Sequence, residues 1–167
     1  MSEASLLTTD FEPPHFFGMA EHRMTPKCQV AMPAVFRAVC RPEVLEAGFW
    51  LRQEEPDHLN LYPQPEFARI RRNMRARLEQ MDNADAAAAY LRAWSASTHC
   101  LTLDAQGRIL LPKAVLKAAG IPGPEVLFLG CDLRIELWDP RVYAARHPEG
   151  GDYPRWMQEN RRAIVGL

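Results

Sequence analysis

Two stretches of this chain, 79 residues apart, follow one plan. "MTPKCQVAMPAVF" (24–36) laid over "LDAQGRILLPKAV" (103–115) puts Pro33 on Pro112 and matches the apolar positions Met24/Leu103, Val30/Ile109, Met32/Leu111 and Phe36/Val115. Further on, "LNLYPQPEF" (59–67) lies over "IELWDPRVY" (135–143) at an offset of 76, with Leu61 on Leu137, Tyr62 on Trp138 and Phe67 on Tyr143. Order, spacing and apolar phase agree, and only an intervening loop differs, by three residues. The chain therefore reads as two copies of a strand–turn–strand–helix–strand–strand unit of about 50 residues. One unit of that size can hardly bury a core alone, whereas two packed together can. The expectation is an α+β fold with pseudo-two-fold symmetry and its two equivalent turns on one side.

Read in order, residues 1–15 form a disordered leader, closed near its end by Pro13-Pro14. "HFFGMAEHRM" (15–24) and "CQVAM" (28–32) suggest strands around the turn "TPK", and Pro33 opens a short helix. "GFWLRQE" (48–54) and "HLNLY" (58–62) suggest a hairpin that leaves Glu54, Glu55 and Asp57 as exposed turn carboxylates. Within 63–81, Phe67, Ile70, Met74, Leu78 and Met81 recur at three and four, one helical stripe. An alanine-rich helix over 82–97 follows, with Asp82 or Asn83 as its N-cap. The second copy then repeats the scheme. Strands fall at 98–103, 108–111, 125–130 and 133–138, a Pro112-led helix stops at Gly120, and a further helix is capped by Asp139 and primed by Pro140. This divides the chain into a first module at 16–65, a helical hairpin at 66–97, a second module with its helix at 98–146, and a tail or short helix at 147–167.

Composition narrows the function classes. Net charge is −1, so the chain as a whole is no basic glove for nucleic acid. Yet residues 22–42 carry Arg23, Lys27, Arg37 and Arg41 with no acid, and residues 105–124 carry Arg108, Lys113 and Lys117 with no acid. These are local anion-facing stretches. No apolar run approaches the roughly 18 residues of a membrane span, and the N-terminus has no secretory-signal pattern, so a cytoplasmic address is expected. Four scattered cysteines without a CxxC pair suggest reduced, mostly packed thiols. The five histidines share no ligand spacing, and P-loop, GxSxG and HExxH patterns are missing, so no metal, cofactor, small-molecule substrate or catalytic role is expected. Trp50, Tyr62, Trp94 and Trp138 suit packing better than base stacking. The arginines of 69–77 suit a solvated helix face or a contact to phosphate or a neighbouring protomer.

The chemistry concentrates at the turns. Asp104 and Arg108 flank "AQG", where a tight hairpin brings their side chains within reach. Such a pair adds at most about 1 kcal/mol to stability when exposed. A pre-aimed guanidinium, however, loses less freedom on meeting a phosphate or a guanine edge. Gly107 permits positive φ there. D-x-x-G is also ordinary hairpin chemistry, and the duplication and acid-free flanks are what favour a binding role.

These residues, "FFGMAEHRMTPKCQVAMPAVFR" followed by "LDAQGRILLP" and "LRIELWDP", resemble the MraZ family over roughly 16–146. The resemblance implies two tandem AbrB-like swapped-hairpin modules forming a pseudo-two-fold barrel, with helices after each module. It also implies a ring of copies and a cytoplasmic, nucleoid-associated transcriptional regulator that binds promoter repeats of the division and cell-wall gene cluster in double-stranded DNA. The family signature is an Asp-x-Lys-Gly-Arg turn in each copy, ahead of a proline-led helix. Copy two keeps Asp104, Gly107 and Arg108 but has Gln106 in place of lysine. Copy one keeps Lys27 but has Thr25, Cys28 and Gln29 in place of aspartate, glycine and arginine. Arg108 is therefore the foremost expected DNA contact, oriented by Asp104, with Lys27, Gln29 and Gln106 beside it. Arg23, Arg37, Lys113 and Lys117 are expected at phosphates. Because copy one is degenerate, the alternative expectation is a ring-forming scaffold that binds protein and has lost specific DNA binding.

Overall fold

The computed structural model describes residues 12–147. The expected tail and most of the expected leader lie outside them. The elements, in chain order, are β1 (Met19–Arg23), β2 (Gln29–Ala31), α1 (Ala34–Ala38), α2 (Pro42–Ala47), β3 (Phe49–Glu55), β4 (His58–Pro63), α3 (Gln64–Glu79), α4 (Ala84–Ala96), β5 (Thr98–Leu101), β6 (Arg108–Leu110), α5 (Lys113–Ala118), β7 (Glu125–Cys131), β8 (Arg134–Trp138) and α6 (Pro140–Arg146). Local chemistry sets several of their ends. Asn83 Oδ1 caps α4 by accepting the Ala86 amide at 3.0 Å. Asp139 caps α6 by accepting the Arg141 and Val142 amides, with Pro140 at the first turn. Gly120 follows α5 at φ +68°, the left-handed residue that ends a helix.

The strands form a six-stranded antiparallel sheet ordered β1-β7-β8-β4-β3-β5 and a separate two-stranded ribbon, β2-β6. Both are built from repeat equivalents. In the ribbon, Val30 pairs with Ile109, its own equivalent, while Gln29 pairs with Leu110 and Ala31 with Arg108. At the sheet centre, Asn60 of β4 pairs with its equivalent Glu136 of β8. One pseudo-two-fold axis thus passes through both pairs. The outer strands cross over: β1 of copy one pairs with β7 of copy two, and β5 of copy two pairs with β3 of copy one. The fold is α+β with antiparallel sheets. The six strands do not close into the barrel of the sequence reading, and β1 and β5 remain edges. Symmetry is also broken by a register shift between Arg52 and Glu55, which moves the first half of β3 by one residue against β4.

The core lies between sheet and ribbon. Val30, Met32, Phe36, Ile109 and Leu111 from the ribbon and its flanks pack with Phe49, Leu51, Leu59, Leu61, Val126, Phe128, Ile135 and Leu137 from the sheet. Phe16 is fully buried too and meets Phe36 edge-on at 5.9 Å. The helix pair α3–α4 docks through aromatic rings. Trp50 stacks on Phe67 at 4.3 Å, Phe67 stacks on Trp94 at 5.5 Å, and the Arg52 guanidinium lies 4.2 Å over Trp94.

One expectation needs correction and two need completing. Residues 15–24 are not one strand: Phe16 makes an isolated bridge to Asp132, Gly18 turns at φ +90°, and β1 begins at Met19. The helix read from Pro33 is followed by a separate one, α2, restarted by Pro42. Glu54 and Asp57 are not bystanders of a turn. Glu54 accepts from Arg52 Nε at 3.1 Å, Asn60 Nδ2 at 2.9 Å and Tyr62 Oη at 2.5 Å, and Asp57 is held by His58 at 2.8 Å and Arg146 at 2.8 Å.

Candidate nucleic-acid interface

The two turns leading into the ribbon have the same backbone. The Thr25 amide donates to the Gln29 carbonyl at 2.8 Å, and the Asp104 amide to that of Arg108 at 2.9 Å. The Cys28 amide returns to the Thr25 carbonyl at 2.8 Å, and that of Gly107 to the Asp104 carbonyl at 3.0 Å. Residues 28 and 107 are left-handed, at φ +61° and +74°. Each ribbon strand then hands one amide to the other turn: Met32 N to the Gly107 carbonyl, Leu111 N to that of Cys28, both at 2.9 Å. Copy one keeps this geometry without the aspartate because the Thr25 hydroxyl takes over its local duty. Thr25 Oγ1 accepts the Gln29 amide at 3.2 Å, as Asp104 Oδ1 accepts the Arg108 amide at 3.0 Å.

The side chains meet as well. Asp104 Oδ2 accepts Arg108 Nε at 2.8 Å, and the same oxygen accepts Gln29 Nε2 at 3.1 Å. Oδ1 also accepts the Gln106 amide at 2.9 Å. The backbone amide of Arg108 foremost, joined by the guanidinium and the Gln106 amide, holds the Asp104 carboxyl below its ordinary range against the opposing effect of desolvation. It is a carboxylate at neutral pH. An ionised carboxylate offers only acceptors, so the Gln29 amide must present N–H to it, which fixes which end of the carboxamide points away.

Strand alternation sorts the ribbon into two faces. Val30 and Ile109 are buried, while Gln29, Ala31, Arg108 and Leu110 lie on the opposite face. Arg108 and Asp104 side chains keep 38% and 34% of their exposure, and Leu110 is 59% exposed. A two-stranded ribbon is one of the shapes that enters a major groove about 12 Å wide.

Of the ten residues singled out in the sequence, Lys27, Gln29, Asp104, Gln106, Gly107 and Arg108 fall on the ribbon's outward face or in the two turns that enter it from opposite ends. Arg37 joins them: its guanidinium covers Gly107 and its Nε donates to the Met32 carbonyl at 3.1 Å. Lys113 and Lys117, both exposed, line a shallow cleft of about 520 Å³ with Cys28 and Leu116, beside the copy-one turn. Arg23 stands apart, its Nη1 donating to Glu125 at 2.9 Å at the sheet edge. Sequence reasoning passed over Ala31 and Leu110. The available signal was the alternation itself, which sends Leu110 outward between buried Ile109 and Leu111.

Burial pushes the Cys40 and Cys131 thiols up to about 11. Among the described residues, no group of three or more His, Cys, Asp or Glu is placed to hold a metal ion, and no helix is long and apolar enough to cross a membrane.

Comparison with known proteins adds relatives. The family model described as "MraZ protein, putative antitoxin-like" matches residues 95–148, the second copy. The chain is 30% identical to the "Transcriptional regulator MraZ" of Phocaeicola vulgatus over 127 residues, 76% of this chain and 80% of that protein. It is 32% identical to the protein of the same name from Salinispora arenicola over 137 residues, 82% of this chain and 90% of the relative. Against that of Bacteroides thetaiotaomicron the identity is 30% over 123 residues, 74% and 77% of the two chains.

Proposed function

The chain belongs to the MraZ family, and from that premise we propose that it is a transcription regulator that binds double-stranded DNA with the outward face of its β2-β6 ribbon. The observation that carries this reading is the carboxylate of Asp104, which holds Gln29 and Arg108 together on a surface too exposed for the pair to serve mainly as a stabilising contact. Arg108 reads a guanine through its two Nη groups, since Nε is committed to Asp104. Lys27, Lys113 and Lys117 lie around the copy-one end of the ribbon and Arg37 at the copy-two end, where they meet phosphates and set register. Gln106 stands beside them. Arg23 is a weaker phosphate contact, because Glu125 already neutralises it.

The same proposal includes a ring of copies bound across repeated promoter elements of the division and cell-wall gene cluster. Supporting it are the edge strands β1 and β5, whose outer sides invite pairing, and the apolar residues Tyr90 and Leu91 exposed on α4. Those two residues also favour the second reading, a ring scaffold whose partner is a protein.

A gel-shift on the promoter fragment of the protein's own gene, run as a salt series against a scrambled duplex, separates the two. A DNA reader prefers the promoter at every salt concentration, while both affinities fall with salt by a log–log slope of about 0.9 for each phosphate contacted. Equal affinity for both duplexes, lost at modest salt, overturns the DNA-reading proposal and leaves the scaffold.

A further inference from the structure

The ribbon is symmetric in backbone and asymmetric in side chains. About the Val30–Ile109 axis, Arg108 is the equivalent of Gln29 and Leu110 the equivalent of Ala31. Across the strands, Gln29 stands beside Leu110 and Arg108 beside Ala31. One end of the outward face is thus a carboxamide next to an exposed leucine, and the other a guanidinium next to a methyl group.

These ends suit different base pairs. At the Arg108 end, Ala31 is short enough to leave the guanidinium clear, and both Nη groups are without partners among the described residues, a fork matching guanine O6 and N7. At the other end, Gln29 spends one N–H on Asp104 Oδ2. What remains is one acceptor, Oε1, and one N–H donor. Adenine presents the complementary pair, the N6 amino donor and the N7 acceptor, in the major groove. Leu110 has no polar atom to offer and keeps 59% of its surface. The group in that groove that an aliphatic side chain can recognise is the thymine C5 methyl. Aim comes from the other copy. Thr25 is occupied by the Gln29 backbone, so the Gln29 side chain is oriented by Asp104, a residue of copy two.

We propose that the two copies read different bases, Arg108 a guanine and Gln29 with Leu110 an A·T pair, with the single carboxylate of Asp104 aiming both polar readers. The proposal rests on the DNA-reading function above, and its test keeps the two apart. The full chain, Gln29→Arg, Gln29→Ala and Leu110→Ala are each used to select duplexes from a pool with a randomised core. The full chain enriches a motif with a G·C pair and a nearby A·T pair. Gln29→Arg shifts the A·T position toward guanine by about tenfold or more in preference, while the position set by Arg108 is unchanged. In a second measurement, deoxyuridine replaces thymine at the A·T position, removing only the methyl group. The full chain loses affinity severalfold, and Leu110→Ala responds no further.

If Gln29→Arg and Gln29→Ala enrich the same motif as the full chain, Gln29 reads nothing and the inference fails, while the reading through Arg108 stands. Indifference of the full chain to deoxyuridine removes Leu110 from the proposal without need of any variant. Enrichment of no motif by the full chain overturns both the inference and the function beneath it.

Discussion

Gln29 Nε2 and Arg108 Nε, equivalent positions of the repeat, donate to one oxygen, Asp104 Oδ2, at 3.1 and 2.8 Å. Copy one therefore has no acid of its own for its reader and borrows that of copy two. Asp104→Asn separates the two duties of this side chain. The Asn carbonyl can still accept the Arg108 and Gln106 amides and keep the turn, but an NH2 group replaces the oxygen facing two donors. The expected outcome is an unchanged melting temperature and specific DNA affinity reduced about tenfold. The salt slope should stay as it was, since phosphate contacts are untouched. Melting curves and a gel-shift salt series check it; a variant that melts early would make Asp104 a structural residue first.

Arg108→Ala should cost about 1–3 kcal/mol in specific binding and leave the fold intact, because the guanidinium is exposed and, among the described residues, joined to the protein only through Asp104. Arg108→Lys should recover little of that loss. An ammonium has neither the fork for guanine nor an Nε to receive the carboxylate's aim. Fluorescence anisotropy with the promoter duplex and with a guanine-substituted one measures both variants. Full activity of the lysine variant would mean that Arg108 meets a phosphate.

The chain displays its repeat in the spacing of prolines and apolar residues, and from that the turns, most strands and the Asp139 cap can be placed, while the cap of α4 is narrowed to Asp82 or Asn83. Which strands pair is another matter. Alternation says that Val30 and Ile109 face inward but not that they face each other, and nothing in residues 19–23 announces β7 as the partner. The shift at Arg52–Glu55 is equally silent, because an added residue in one copy reads as loop variation. At the site, the lost aspartate of copy one suggests a disabled turn. That Thr25 would hold the backbone while Asp104 reached across to Gln29 depends on an inter-copy distance, which no spacing along the chain encodes.

Acid should destabilise the fold through two carboxylates. Burial raises the pKa of Glu136, but hydrogen bonds from Trp138 Nε1 at 2.9 Å and Arg134 at 2.8 Å, with nearby positive charge, outweigh it and leave the pKa below the ordinary 4.5. The Arg141 side chain foremost, then the two capping amides, lower that of Asp139 below 3.8 despite burial. A folded-state value below the unfolded one means that the stabilisation is complete above the ordinary carboxylate range and is lost as pH falls through the folded values. The melting temperature should hold steady from neutral pH to about 4.5 and then drop. Glu136→Gln should begin lower at neutral pH and fall less on acidification. A melting temperature that declines between neutral pH and 5 would point to histidine, not to these groups.

Gly107 and Cys28 hold the same left-handed corner, at φ +74° and +61°, yet they should respond differently to alanine. At Gly107 a new Cβ would acquire the strain of positive φ and would also lie 2.9 Å from Arg37 Nη1 and 3.0 Å from its Cδ and Cζ. Arg37 is held in place by its Nε hydrogen bond to the Met32 carbonyl, which a retreat would strain. Strain alone is worth about 1–2 kcal/mol, and the collision adds to it. Cys28 already bears the strain, so Cys28→Ala loses only what the thiol packs against, a fraction of that cost. Urea denaturation of Gly107→Ala, Arg37→Ala and the double variant resolves the terms. Gly107→Ala should be less costly where Arg37 is already truncated, with the coupling equal to the collision. Additive losses would mean that Gly107 is demanded by its backbone angle alone and that Arg37, free of the turn, is available to a phosphate without disturbing it.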